Sequence, residues 1–124
     1  MKLFPSLQKR YAKERFTAVQ AQRLAQEIAF GPVVFQVSRL MLKFGIFRLL
    51  SDNREGLSLE QISQKTELSR YAAQVLLEAS LTIGTVLVKD DQYILAKAGW
   101  FLLNDEMAQV NMNFNQDVNY KGLF

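Results

Sequence analysis

The side chains that chemistry would use first are Asp90-Asp91 and Asp105-Glu106, two adjacent acidic pairs. Neither spacing suits a metal site or an acid/base pair, because neighbours on a strand point to opposite faces. A turn explains the first pair and a helix N-terminus the second. The chain has no histidine and no cysteine. That removes the commonest general base, the commonest transition-metal ligand, disulfides and thiolate sites. Its six glycines (Gly31, Gly45, Gly56, Gly84, Gly99 and Gly122) are too scattered for a phosphate-cradling loop. Arg70 and Gln74 are of types that read guanine and adenine edges. Trp100 and Tyr93 suit a pocket wall, although core packing and hairpin pairing are the commoner uses. On these grounds no catalytic, cofactor-binding or metal-ligating residue is assigned.

The elements that would position these groups centre on residues 58–95. Ser58-Leu59-Glu60-Gln61 is a capping-box sequence, so a helix starts at Ser58; it carries Ile62 toward a core and stops near Thr66. Ser69 is a second N-cap candidate. The helix after it shows Ala72, Val75, Leu76, Ala79 and Ile83 at helical spacing, and Gly84 suits its left-handed end. Thr85-Val86-Leu87-Val88 reads as a strand, Asp90-Asp91 as a turn, and Tyr93-Ile94-Leu95 as the returning strand. Helix, turn, helix and hairpin make a winged helix-turn-helix. The fold class is mainly α with a small β-hairpin, with an added N-terminal helix and a C-terminal linker helix.

At 124 residues the chain has room for one domain with a modest core. With 49% hydrophobic and 22% charged residues it should fold rather than stay disordered. It has no apolar run of membrane-spanning length and no signal-peptide segment, so a cytoplasmic protein without membrane contact is expected. The net charge of +3 is unevenly shared. Residues 1–30 hold six Lys and Arg against two Glu, or +4. Residues 58–95 hold three against five acids, or −2.

Outside the helix-turn-helix, apolar helices dominate. Residues 6–29 read as one amphipathic helix capped by Ser6 after Pro5. Gly31-Pro32 breaks it and starts a helix over 32–44 whose only polar stripe is Gln36, Arg39 and Lys43. Gly45 ends that helix, Ile46 to Leu50 make an apolar turn or short helix, and 51–57 form a polar loop. After the wing, 97–103 is a short helix in which Gly99 is tolerated because another backbone passes close. Residues 105–120 form a further helix, weakened by its asparagines. The resulting division is 1–30 for a dimerisation helix, 31–103 for the winged helix-turn-helix and 104–124 for a linker helix. So much apolar surface calls for a second copy of the chain. The residues assigned to a homodimer interface are Tyr11, Phe16, Val19, Leu24, Ile28, Val34, Phe35, Met41 and Phe114. The chain stops on an apolar run at Tyr120 to Phe124, as expected of a fragment preceding another domain.

A DNA-binding use of the fold would place Arg70, Tyr71 and Gln74 on base edges. The same exposed face is expected to carry Leu77, Glu78 and Leu81, and the wing tip carries Asp90-Asp91. Two large apolar groups, a carboxylate and an acidic tip on a −2 unit argue against nucleic acid as the partner.

At this point the chain resembles a known family. Phe35-Gln36-Val37-Ser38-Arg39, followed by Phe44-Gly45-Ile46-Phe47-Arg48-Leu49-Leu50, is similar to the entry of the N-terminal dimerisation domain of S-adenosylmethionine-dependent O-methyltransferases. Leu68 to Ala79 resembles that domain's second helix, Ile83-Gly84 and Tyr93-Ile94-Leu95 its wing, and Asn115 to Phe124 its lead-in to the catalytic domain. The resemblance covers roughly residues 28–124. It implies an intertwined homodimer that helps wall a pocket for a small-molecule methyl acceptor. It also implies that S-adenosylmethionine binds in a following domain, with no cofactor held by this chain and no catalysis by it alone. The alternative is a winged-helix transcriptional regulator.

Overall fold

A computed structural model describes residues 4–121. By contacts the chain divides into two units, one reaching Pro32 and one starting at Val33.

In the first unit the sequence predicts one helix, and the structure has two. Helix α1 spans Pro5–Arg10, with Phe4 rather than Ser6 at its N-cap and Pro5 at the first helical position. Helix α2 spans Ala18–Ala29. The break comes from Thr17, whose hydroxyl accepts from the Gln20 amide while the Gln20 side chain accepts from the Thr17 amide. This reciprocal cap starts a new helix at lower cost than continuing the old one through Thr17. No residue of α1 or α2 is buried.

The second unit is built from the rest of α3 (Gly31–Lys43), α4 (Ile46–Asp52), α5 (Leu59–Thr66), α6 (Arg70–Ile83), strands β1 (Val86–Lys89) and β2 (Gln92–Leu95), α7 (Lys97–Asn104) and α8 (Glu106–Phe114). Gly45 lies at φ +75 between α3 and α4, a conformation that side chains with a Cβ avoid. Ser58 and Gln61 form the predicted capping box at α5, and the Ser69 hydroxyl caps α6 through the Ala72 amide. Gly84 ends α6 at φ +105. Its N–H and that of Thr85 both reach the Ser80 carbonyl, satisfying an otherwise orphaned acceptor.

The wing is a two-residue hairpin with Val86 opposite Leu95 and Lys89 opposite Gln92. Asp90 and Asp91 both have positive φ, at 52° and 62°, which fits the primed turns that match strand twist. Leu57 extends the sheet by exchanging two hydrogen bonds with Tyr93, at 3.1 and 2.8 Å. The predicted loop 51–57 is therefore shorter than expected, bounded by α4 on one side and this bridge on the other. Helix α7 carries Gly99 against the wing, where a Cβ would stand 2.5 Å from the Thr85 carbonyl oxygen. That is the close backbone the sequence suggests.

The core runs between α4, α5, α6 and the hairpin. Phe47, Met41, Ile46, Leu50, Ile62, Leu77 and Val86 are the largest of its fully buried apolar side chains. The predicted final helix changes character at Asn115, where a π-helix takes over through Lys121. The Asn115 amide side chain donates to the Asn111 carbonyl at 2.9 Å, competing with the backbone for that acceptor. Gly122 to Phe124, the end of the expected lead-in, lie outside the described residues.

Candidate functional site

Three surfaces are candidates: the outer face of α6 with the wing, the apolar face of α2 in the first unit, and the apolar faces of α3 and α8 in the second.

On the first, the structure corrects the expected orientation of α6. Leu77 is fully buried and Leu81 packs against the core, so neither faces outward. Tyr71 is outside as expected, at 78% exposure, and Val75 is outside as well. The reason is that apolar and small residues nearly encircle this helix. Spacing alone leaves several faces admissible, and packing against α5 and β1 selects Ala73, Leu76, Leu77 and Ser80. The apolar argument against DNA falls with this correction, and a different one replaces it. Arg70 Nη1 lies 3.6 Å from Glu60 Oε2, and Gln74 Nε2 donates to Glu78 Oε1 at 3.0 Å. Both base-reading candidates are thus turned toward carboxylates. Tyr93, beside this face, has its phenol pKa raised by burial and then by Glu78 and Asp91, a further sign of local negative potential. The isolated chain should bind duplex DNA weakly and without sequence preference, with the residual binding supplied by its basic first 30 residues. Binding should weaken steeply between 50 and 200 mM salt. Sequence-selective, submicromolar binding at physiological salt, measured by fluorescence anisotropy, overturns this.

In the first unit, α2 aligns Ala21, Leu24, Ala25 and Ile28 at i, i+3, i+4 and i+7, one face of a helix. Ile28 is 68% exposed and Leu24 38%. Val19, more exposed still, lies off this stripe. Tyr11 and Phe16 are exposed between and before the helices, under Arg10 and Arg15 at 5.8 and 5.7 Å from their rings. On α3, Val34 and Phe35 are partly buried and Val33 is exposed. Met41 is fully buried in the core of its own unit, so it supports the fold and is unavailable to a partner. Helix α8 presents Met107, Val110 and Phe114 at i, i+3 and i+7, all more than half exposed. Sequence reasoning places Met107, Val110 and Phe114 at helical spacing and assigns only Phe114 of them to the interface. Val33 and Phe44 count among the apolar residues of 32–44 but are not assigned to the interface, because spacing does not fix their direction. Among the described residues no group of histidine, cysteine or acidic side chains could hold a metal ion. No helix there is long and apolar enough to cross a membrane.

Several solved structures share this fold. The chain is 24% identical to the S-adenosylmethionine-dependent methyltransferase SibL in its apo form, with a TM-score of 0.66 over 77% of this chain and 28% of that one. It is 19% identical to a protein described as a pericyclic reaction enzyme, TM-score 0.65, over 89% of this chain and 26% of that one. A structure of LepI in complex with SAM gives 19% identity and TM-score 0.65, over 89% and 27%. The chain thus spans about a quarter of the length of each. No protein of curated function matches it. The model of the Dimerisation2-like domain matches residues 22–93, more than half of the sequence, from within α2 to the returning strand of the wing. The chain belongs to the Dimerisation2-like domain family.

Proposed function

We propose that this chain is the dimerisation and substrate-lid domain of an S-adenosylmethionine-dependent methyltransferase. In this reading it self-associates as a homodimer, residues 104–124 lead toward a catalytic domain, and the methyl acceptor and S-adenosylmethionine are bound by the larger protein. The observation that carries it is the exposed apolar row on each of α2 and α8, in a chain whose family is named for dimerisation. Leu24 and Ile28 on α2 and, in the second unit, Met107, Val110 and Phe114 on α8 would otherwise face water. A row of large apolar side chains on one helix face is the kind of surface that marks an interaction site. Burying each such side chain contributes about 1.5–3 kcal/mol, so a few per protomer offset the cost of association. Two-fold symmetry is the commonest closed arrangement.

The fold is shared with a protein named as a pericyclic reaction enzyme. A larger protein that catalyses a different reaction is therefore the second reading. A glycine-rich loop after a strand, if one is encoded beyond Phe124, would support the methyltransferase reading.

Light scattering at low micromolar concentration tests the dimer. A mass near twice 14.2 kDa is expected, and 14.2 kDa rejects it. Ile28→Asp places a charge on an exposed position, so it should halve the mass while leaving the second unit folded by near-ultraviolet circular dichroism. Arg70→Ala, whose ion pair is solvent-exposed, should change neither mass nor stability by a measurable amount.

A further inference from the structure

We propose that the hollow between the end of α4, the end of β2 and the first turn of α7 binds a small aromatic carboxylate. The hollow has a volume of about 320 Å³. That is the low end of the range for small-molecule sites and suits a single ring rather than a fused system. Ile94 and Leu95 give it apolar walls over the buried Leu50, and Trp100 lines it as well. Two cations, Arg54 and Lys97, share this lining. Neither forms an ion pair among the described residues, where Arg70 and Glu60 make the one salt bridge. Acidic side chains are close by: Asp52 and Glu55 flank Arg54 in sequence, and Glu55 and Asp90 line the adjoining hollow with Arg54 and Lys89. None of these carboxylates lines the hollow itself.

The combination selects a class of ligand. Apolar walls and an indole favour a ring. An unpaired guanidinium favours a planar two-oxygen anion, because its fork matches a carboxylate in two parallel hydrogen bonds. Lys97 opens α7, and Ala96 at the N-cap makes no side-chain hydrogen bond. The start of that helix therefore adds positive potential on the same side as the two cations. A neutral aromatic would leave the cations unused, and inorganic phosphate would leave the apolar walls unused. The site lies wholly on residues 50–100 of the second unit and depends neither on self-association nor on the reaction of a larger protein.

Trp100 is the only tryptophan, so its fluorescence reports on the site directly. Titration of the full chain with benzoate should give a saturable change in that fluorescence. It should also shift the backbone amide resonances of Ala98 and Trp100 by NMR. Benzamide and inorganic phosphate should each bind at least about tenfold more weakly, because each lacks one half of the recognition. Arg54→Gln should weaken benzoate about tenfold and Lys97→Gln less, with circular dichroism unchanged since both side chains are exposed. Absence of saturation by both readouts overturns the proposal. Equal binding of benzamide, equal binding of phosphate, or an unaltered response in Arg54→Gln each overturns it as well.

Discussion

Replacing Phe47 with alanine should destabilise the folded domain by about 3–5 kcal/mol, the usual range for a fully buried phenylalanine. Phe47 has no exposed surface and is the largest of the fully buried side chains. It sits in α4, the helix that meets α5, β2 and α7, so its ring fills the point where the helices and the wing converge. One ring carbon lies 3.5 Å from the position a Cβ would take on Gly99. Collapse around the lost ring would have to move α7, which itself rests on the hairpin, and so the cavity should persist rather than close. A domain of this size has of order 5–15 kcal/mol of stability in all, so such a loss approaches global unfolding. Urea denaturation at fixed protein concentration measures it, and concentration must be held because association adds to apparent stability. A loss below about 1 kcal/mol would show that the site repacks freely, contrary to this account.

The second large effect is a reversal of sign. Glycine inside a helix ordinarily costs about 0.5–1 kcal/mol relative to alanine, so Gly→Ala there is usually stabilising. At Gly99 the opposite is expected. A Cβ would stand 2.5 Å from the Thr85 carbonyl oxygen and 2.6 Å from Leu95 Cδ1. Leu95 can turn its side chain, but the carbonyl cannot retreat freely, because it accepts the Ala96 N–H at 3.0 Å and so closes the hairpin. Gly99→Ala should therefore destabilise by about 1–3 kcal/mol through overpacking, and Gly99→Val by more. Gly31→Ala is the control. It meets nothing within 4 Å and lacks a positive φ, so it should be neutral or mildly stabilising. Thermal melting of the three variants decides: if Gly99→Ala melts at or above the parent temperature, the close approach carries no constraint.

Much of the fold was legible because its punctuation is local. Ser58 with Gln61, Ser69, Gly84 and the Asp90-Asp91 turn each act within four residues, and each stands where the sequence places it. Even Gly99 declared its neighbour, since a glycine in an apolar helix needs a reason. Thr17 with Gln20 was an equally local signal, but periodicity across residues 6–29 overrode it, and one helix was read where two exist. Orientation was harder. On α6, Leu77 and Leu81 are apolar like their neighbours, and only the shapes of α5 and β1 decide which of them turn inward. Met41 was misassigned for the same reason, as α3 is apolar on most sides and its buried face is chosen by α4 and the core. The hollow beside α7 was invisible in the sequence. Arg54, Lys97 and Trp100 are spread over more than forty residues and meet only when the hairpin folds back.

Helix α2 is only 12 residues long and buries none of them. Helices of that length are marginal in water when nothing packs against them. Its capping box helps, at roughly 1 kcal/mol, but does not replace a packed face. If a second copy supplies that face, winding of residues 18–29 and pairing of two chains become one cooperative event. Helical content then depends on how much protein is present: dilution would unwind α2 as well as separate the protomers. The N-terminal segment would act as a concentration gauge, ordered where the chain is abundant and frayed where it is scarce.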